Sequence, residues 1–157
     1  RFGFPLQPAA LFGISQGGAI ALQAAARADE PWIAVAELSS FESLDRVVSR
    51  QAHSWFGPFA PLADRAVTLL VQRRAGYTPA QIRPIDAAAQ LTLPVLMGHG
   101  DADVFVTPDQ AKSLFDAAPS KQKHFLNIPG AGHSNALITD APVYSTVCKF
   151  LITSLKP

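Results

Sequence analysis

The hydrophobic positions of this chain fall into short apolar runs separated by stretches of helical period, so strand alternates with helix along most of its length. Runs at 9–14, 33–38, 93–98 and 124–128 read as strands, and the segments at 17–28, 108–118 and 141–155 read as helices. In the last of these Val143, Val147, Phe150 and Leu151 fall on one face. Thr107-Pro108-Asp109-Gln110 gives the middle helix its start, with threonine as the cap, proline at the first helical position and glutamine three residues after the cap. Strands alternating with helices imply an α/β fold, a parallel sheet with flanking helices and right-handed crossovers.

The segment 41–90 departs from that alternation. It has no repeat, and Trp55-Phe56-Gly57-Pro58-Phe59-Ala60-Pro61 breaks two helical patterns. It reads as a small helical cap, inserted between core portions at 1–40 and 91–157.

Composition agrees with buried parallel strands and Ala-rich helices. Hydrophobic residues make up 48% and charged residues 16% of the 157, below the roughly 25% charged of an average soluble domain. A net charge of +1 gives no basic stripe for nucleic acid. Arg73-Arg74 reads as a solvated helix end. Cys148 is the only cysteine, which excludes an internal disulfide or a cysteine metal cluster, and its helical setting predicts a buried thiol. The four histidines lack metal-ligand spacing, so neither metal nor cofactor is expected. No stretch reaches the roughly 18 apolar residues of a membrane span. The compartment stays open, with the cytoplasm favoured.

The chemistry concentrates in three places. Ala9-Ala10-Leu11-Phe12 leads into Gly13-Ile14-Ser15-Gln16-Gly17-Gly18, and an Ala-rich helix leaves it. A Gly-x-Ser-x-Gly turn between strand and helix is a nucleophile elbow, which holds the serine on a strained bend. Its glycines are expected where side chains would collide with the neighbouring strand and helix. Pro94-Val95-Leu96-Met97-Gly98-His99-Gly100-Asp101-Ala102-Asp103 is a buried run ending in acids, and Gly130-Ala131-Gly132-His133 follows the strand Phe125-Leu126-Asn127-Ile128. Serine, aspartate and histidine thus stand in that order. A serine needs a base within hydrogen-bond reach, and the base needs a carboxylate on its other nitrogen. Gly13 to Gly18 lacks the lysine of a phosphate-binding loop.

From about Leu11 to Leu155 the chain resembles the α/β-hydrolase superfamily. The resemblance implies an α/β-hydrolase fold and a serine hydrolase without cofactor, with a small-molecule acyl substrate. It implies Ser15 as nucleophile, His133 as base and the second aspartate of His99 to Val106, Asp103, as acid, while Asp101 braces the turn. The backbone N–H of Gln16 becomes an oxyanion donor. His99 reads as a hydrogen-bonded structural residue, and His53 and His124 have no partner signals. The elbow is similar to carboxylesterases and acyl-thioesterases, and the stretch from Asp86 to Asp103 to peptidases of the S9 and S33 groups, so ester and peptide substrates both stay open. Phe41, Trp55, Phe56, Phe59 and Phe105 are candidates to line the acyl pocket, although aromatics in such an insert more often pack than bind.

The resembling fold places four strands and two helices before its nucleophile, and fourteen residues precede Ser15. The expectation is therefore the C-terminal half of a longer hydrolase, without the loop that supplies the second oxyanion donor. The strand 9–14 would then be an open edge, prone to self-association and to low activity in isolation. A non-catalytic remnant or interaction domain is the rival from another class.

Overall fold

The computed structural model describes residues 8–27, 31–139 and 141–155. Four strands, β1 (Ala9–Ile14), β2 (Trp32–Leu38), β3 (Val95–Gly100) and β4 (Lys123–Ile128), form one sheet in the order β1-β2-β3-β4, every pair parallel. Between them run α1 (Gln16–Ala25), the group α2 (Leu44–Phe56), α3 (Ala60–Ala75) and α4 (Pro84–Ala88), and α5 (Pro108–Ala117). A short α6 (Ala136–Thr139) and then α7 (Ala141–Ser154) follow β4.

The period of two along the strands sorts the core into two layers. Val35, Val95 and Met97 point to the face covered by α1, α4 and α5, where they pack with Leu22, Ala88, Leu91 and Leu114. Ala36, Leu38, Leu96 and Ile128 point to the other face and meet Val143 and Val147 of α7, with Phe150 and Leu151 beside them. Both faces are covered at the central strands β2 and β3, which is why those two are buried along most of their length rather than alternating.

Several boundaries depart from the sequence pattern. β3 runs from Val95 to Gly100 rather than 93–98. Pro94 has no N–H to give to a ladder, and His99 and Gly100, which lie beyond the expected strand, pair with Asn127 and Ile128. α1 ends at Ala25, and position 28 lies outside the described residues. Thr107 and Pro108 occupy the expected cap and first positions of α5, but the threonine makes no side-chain cap, and Gln110 is fully buried. Cys148, expected to be buried, is partly exposed on α7. Within the expected insert, Ala88 belongs to the sheet's core, whereas Ala60 is the one buried residue of α3. Arg73 and Arg74 are exposed in its last turn.

β1 forms an edge of the sheet, and Phe12 and Ile14 on it are exposed. No helix among the described residues is long and apolar enough to cross a membrane.

Candidate active site

Ser15 stands between β1 and α1 with φ 52° and ψ −119°, in the left-handed half of backbone space that a residue with a Cβ occupies only under constraint. The constraint is visible on both sides. Its N–H extends the ladder by donating to the Leu38 carbonyl at 2.8 Å, and its own carbonyl accepts the first helical bond from Ala19. A Cβ at Gly13 would lie 2.1 Å from the Gly17 carbonyl oxygen, so only glycine lets the helix fold back this closely onto the strand. Gly17 differs from the expectation: a Cβ there would meet nothing within 4 Å, and the tight second approach is at Gly18, against Glu37 and Ser40 at 3.2 Å.

A serine at the start of a helix ordinarily turns its hydroxyl back to cap the first turn. Ser15 does not. Its Oγ lies 2.8 Å from His133 Nε2, and His133 Nδ1 lies 2.8 Å from Asp103 Oδ2. Because a carboxylate only accepts, Nδ1 carries the ring proton, which leaves Nε2 as the acceptor for the serine O–H. The N–H groups at the start of α1, Gln16 first among them, have no carbonyl partner within the helix.

The three side chains come from the carboxyl ends of β1, β3 and β4, the end where ligands bind in open α/β sheets. The loop of His133 is drawn in by two contacts. Asp101 Oδ1 accepts the N–H of Gly130 at 2.7 Å, with Gly130 itself at φ 71°. A Cβ at Gly100 would lie 2.1 Å from the Ala131 carbonyl oxygen, so the glycine allows that loop to sit on β3. Phe105 stacks at a tilt against the His133 ring, centroids 4.9 Å apart.

Asp103 is buried. Burial pushes its carboxyl up, but hydrogen bonds from His133, His99 and the Val106 N–H, with the field of His133, outweigh it and hold the group well below the usual carboxylate range. Asp101, by contrast, is exposed and is engaged with Gly130 rather than with His133.

A cavity of about 360 Å³ opens beside Ser15 and Gln16, walled by Ala19, Ile20, Phe41, Leu44, Val47, Ile82 and Phe105, with Tyr77 and Gln23 at its rim. No charged side chain lines it. Phe41 and Phe105 are therefore beside the serine, while Trp55 and Phe56 are not among the lining residues: they are 73% and 51% exposed, as is Phe59 at 73%. The reason is position along α2, which meets Phe41 and Ala19 through Leu44 and Val47 near its start, while Trp55 and Phe56 lie about three turns further along the helix. A groove of about 430 Å³ between β4 and α7 contains none of the three triad-like side chains. His53 bonds only to the Ser49 carbonyl of its own helix, and His124 stacks on Phe150.

One member of a buried pair, Glu37, escapes a reading of the sequence. Glu37 and His99 are buried on the face of the sheet below Asp103. The signal for Glu37 is a lone carboxylate inside the apolar run from Ile33 to Leu38.

The family model of serine aminopeptidase, S33, matches residues 74–137, a segment that holds Asp103 and His133 but not Ser15. No curated protein matches the chain in sequence. Among solved structures, it is similar to a monoacylglycerol lipase of Paleococcus ferrophilus, with 17% identity over 94% of this chain and 69% of that one and a TM-score of 0.62. It is similar to an esterase of Pyrococcus furiosus, with 15% identity over 94% of this chain and 54% of that one and a TM-score of 0.69. It is also similar to an acylaminoacyl peptidase of Pyrococcus horikoshii, with 15% identity over 97% of this chain but 25% of that one and a TM-score of 0.66. The chain carries the α/β-hydrolase fold, spanning part of the length of these structures.

Proposed function

We propose that this α/β-hydrolase chain bears the reacting groups of a serine hydrolase that cleaves a carboxylic ester or related acyl bond through an acyl-enzyme on Ser15. The observation that carries the reading is the unbroken line from Ser15 Oγ through His133 to Asp103, at 2.8 Å for each step, on a serine held in a left-handed turn. As Ser15 Oγ bonds to the acyl carbon, its proton passes to His133 Nε2 and Asp103 stabilises the imidazolium. His133 then protonates the leaving alkoxide, and a water attacking the acyl-enzyme returns the proton by the reverse route. General base assistance of this kind is worth roughly 10²–10⁴ in rate. The Gln16 N–H, the first of α1, is the donor assigned in this reading to the charge that develops on the acyl oxygen.

Ester rather than aminopeptide cleavage is favoured by the cavity. A free N-terminal ammonium needs a carboxylate to replace its water, and the walls beside Ser15 are apolar and uncharged. They suit an aliphatic or aromatic acyl group. The segment 41–90 contributes Phe41, Leu44, Val47, Tyr77 and Ile82 to that cavity and so takes part in choosing the substrate.

A fluorophosphonate probe tests the nucleophile: labelling of the chain and its loss in Ser15→Ala is the expected result, and labelling that survives the change would refute the assignment. Paired p-nitrophenyl ester and aminoacyl-anilide assays separate the two substrate classes, and faster turnover of the anilide would favour the peptidase.

A further inference from the structure

Asp103 is met by four N–H groups. Oδ1 accepts those of Phe105 and Val106, each at 2.9 Å. Oδ2 accepts His133 Nδ1–H, and His99 Nε2 lies 3.2 Å from the same oxygen. His99 Nε2 is also 2.8 Å from the Val106 carbonyl oxygen. A carbonyl only accepts, so this nitrogen keeps its proton in every state of the ring and shares it between Val106 and Asp103. The proton that can come and go is on Nδ1, a buried atom with no hydrogen-bond partner.

Glu37 lies on the same face of the sheet. In the β2–β3 register it pairs with Met97, two residues before His99, so both side chains point towards α1 and α5. Its Oε2 accepts the Ser40 N–H at 2.9 Å, and its Oε1 is buried without a partner. From the packed elements α1 presents Gly18, Ala21 and Leu22, and α5 presents Gln110, Ala111 and Leu114, none of which titrates. The titratable groups around His99 are thus Glu37 on one side and Asp103, with His133 beyond it, on the other. Each buried polar atom left unpaired is destabilising, so stability alone does not account for this pair.

We propose that His99 is a positioning residue for Asp103, orienting the carboxylate against His133 and drawing charge from it, and that Glu37 behind it sets how readily His99 becomes charged. The hydrogen-bond donor weakens Asp103's hold on the His133 proton, so its loss tightens the bond between Asp103 and His133. A negative Glu37 makes His99 more basic in turn. The field of each group on the other acts in this sense: burial lowers the His99 pKa, but its bonds to Asp103 and Val106 and the fields of Asp103 and Glu37 raise it overall.

This rests on the hydrolase reading only in taking Asp103 as the partner of His133, and the test does not require turnover. In a chain labelled with ¹⁵N-histidine, NMR follows the titration of His99 and, separately, the Nδ1–H signal of His133, which reports its bond to Asp103. His99→Leu is expected to move that signal downfield as the bond to Asp103 tightens, and His99→Gln, which can still donate to Asp103, to leave it near the starting value. Glu37→Gln is expected to lower the His99 pKa by on the order of half a unit. In ester turnover His99→Leu lowers kcat between about tenfold and a hundredfold, the scale of a small misplacement. KM stays unchanged, and His99→Gln retains most of the rate. Equal His133 signals in all forms, a His99→Gln chain as displaced as His99→Leu, or an unmoved His99 in Glu37→Gln would each overturn the proposal. If the leucine variant does not fold, the two glutamine variants still decide it. Absence of Ser15 labelling would count against the hydrolase reading and leave the NMR result standing.

Discussion

Replacing Glu37 by glutamine should flatten the dependence of stability on pH, and the structure gives both sign and size. Glu37 is fully buried in β2, and burial pushes its carboxyl from 4.5 up to about 7, against the Ser40 N–H bond and the field of His99. In the unfolded chain the group ionises near 4.5. Between those two values the folded state holds a proton that the unfolded state has released. Stability therefore falls as pH rises through 4.5 to about 7, is unaffected below that window and is fully penalised above it. At about 1.4 kcal/mol per pH unit, the gap amounts to about 3 kcal/mol. Glutamine keeps an acceptor for the Ser40 N–H and does not titrate. Urea unfolding of both proteins at pH 4.5, 6 and 8 is the assay: the glutamine variant should gain on the wild type by about 3 kcal/mol across the range. The part of the His99 shift that Glu37 causes has the same sign, since a raised histidine pKa gives stability that is lost as pH rises through it. Asp103, held low, acts only below the usual carboxylate range, where its stabilisation is lost on acidification. Parallel curves for the two proteins would refute the argument and mean that Glu37 ionises against solvent.

Three further outcomes are expected. Asp103→Asn should lower kcat by about four orders of magnitude, because the amide favours the wrong tautomer of His133. Asp101→Asn should stay within about tenfold, its oxygen still accepting from Gly130. Steady-state kinetics on the two variants would show a reversed order if the acid assignment were mistaken. Gly100→Ala puts a methyl 2.1 Å from the Ala131 carbonyl, so the loop of His133 must move. Both the thermal midpoint and Ser15 labelling should fall, and unchanged labelling would show that the loop is not held by this contact. Phe12→Lys on the exposed β1 edge should reduce self-association in light scattering; equal scattering by both proteins would remove that edge as the cause.

What the sequence makes legible here is what is local. The apolar approach to Ser15, the glycine at 13 and the alternation of strand with helix each depend on neighbours a few residues away, and the parallel sheet follows from them. The choice of which aromatics face Ser15 is not local. Phe41 sits just beyond β2 and Phe105 just beyond β3, so the sheet itself brings them in, whereas Trp55 and Phe56 depend on where along α2 the helix leaves Ala19 and Val106. Hydropathy is blind to that point because Trp55 falls on the same helix face as Leu44, about three turns away.

Strand register supplies the rest, and His99 shows why it matters. By hydropathy β3 stops at Gly98, which puts His99 in a loop, free to face any direction. Pairing with β4 carries the strand two residues further, to Gly100, because backbone ladders require N–H and carbonyl groups rather than apolar side chains. Once His99 belongs to the strand, the period of two sends it to the side of Met97 and Glu37. The turn that follows then brings Asp103 back over it. An ionisable pair separated by the whole of α2, α3 and α4 is thereby joined below the candidate acid by two extra rungs of a ladder. The same two rungs set Gly100 against Ala131, so the strand extension that places His99 also seats the loop of His133. Placement of the acid and placement of the base thus share one structural cause, and a shift of register in β3 would disturb both together.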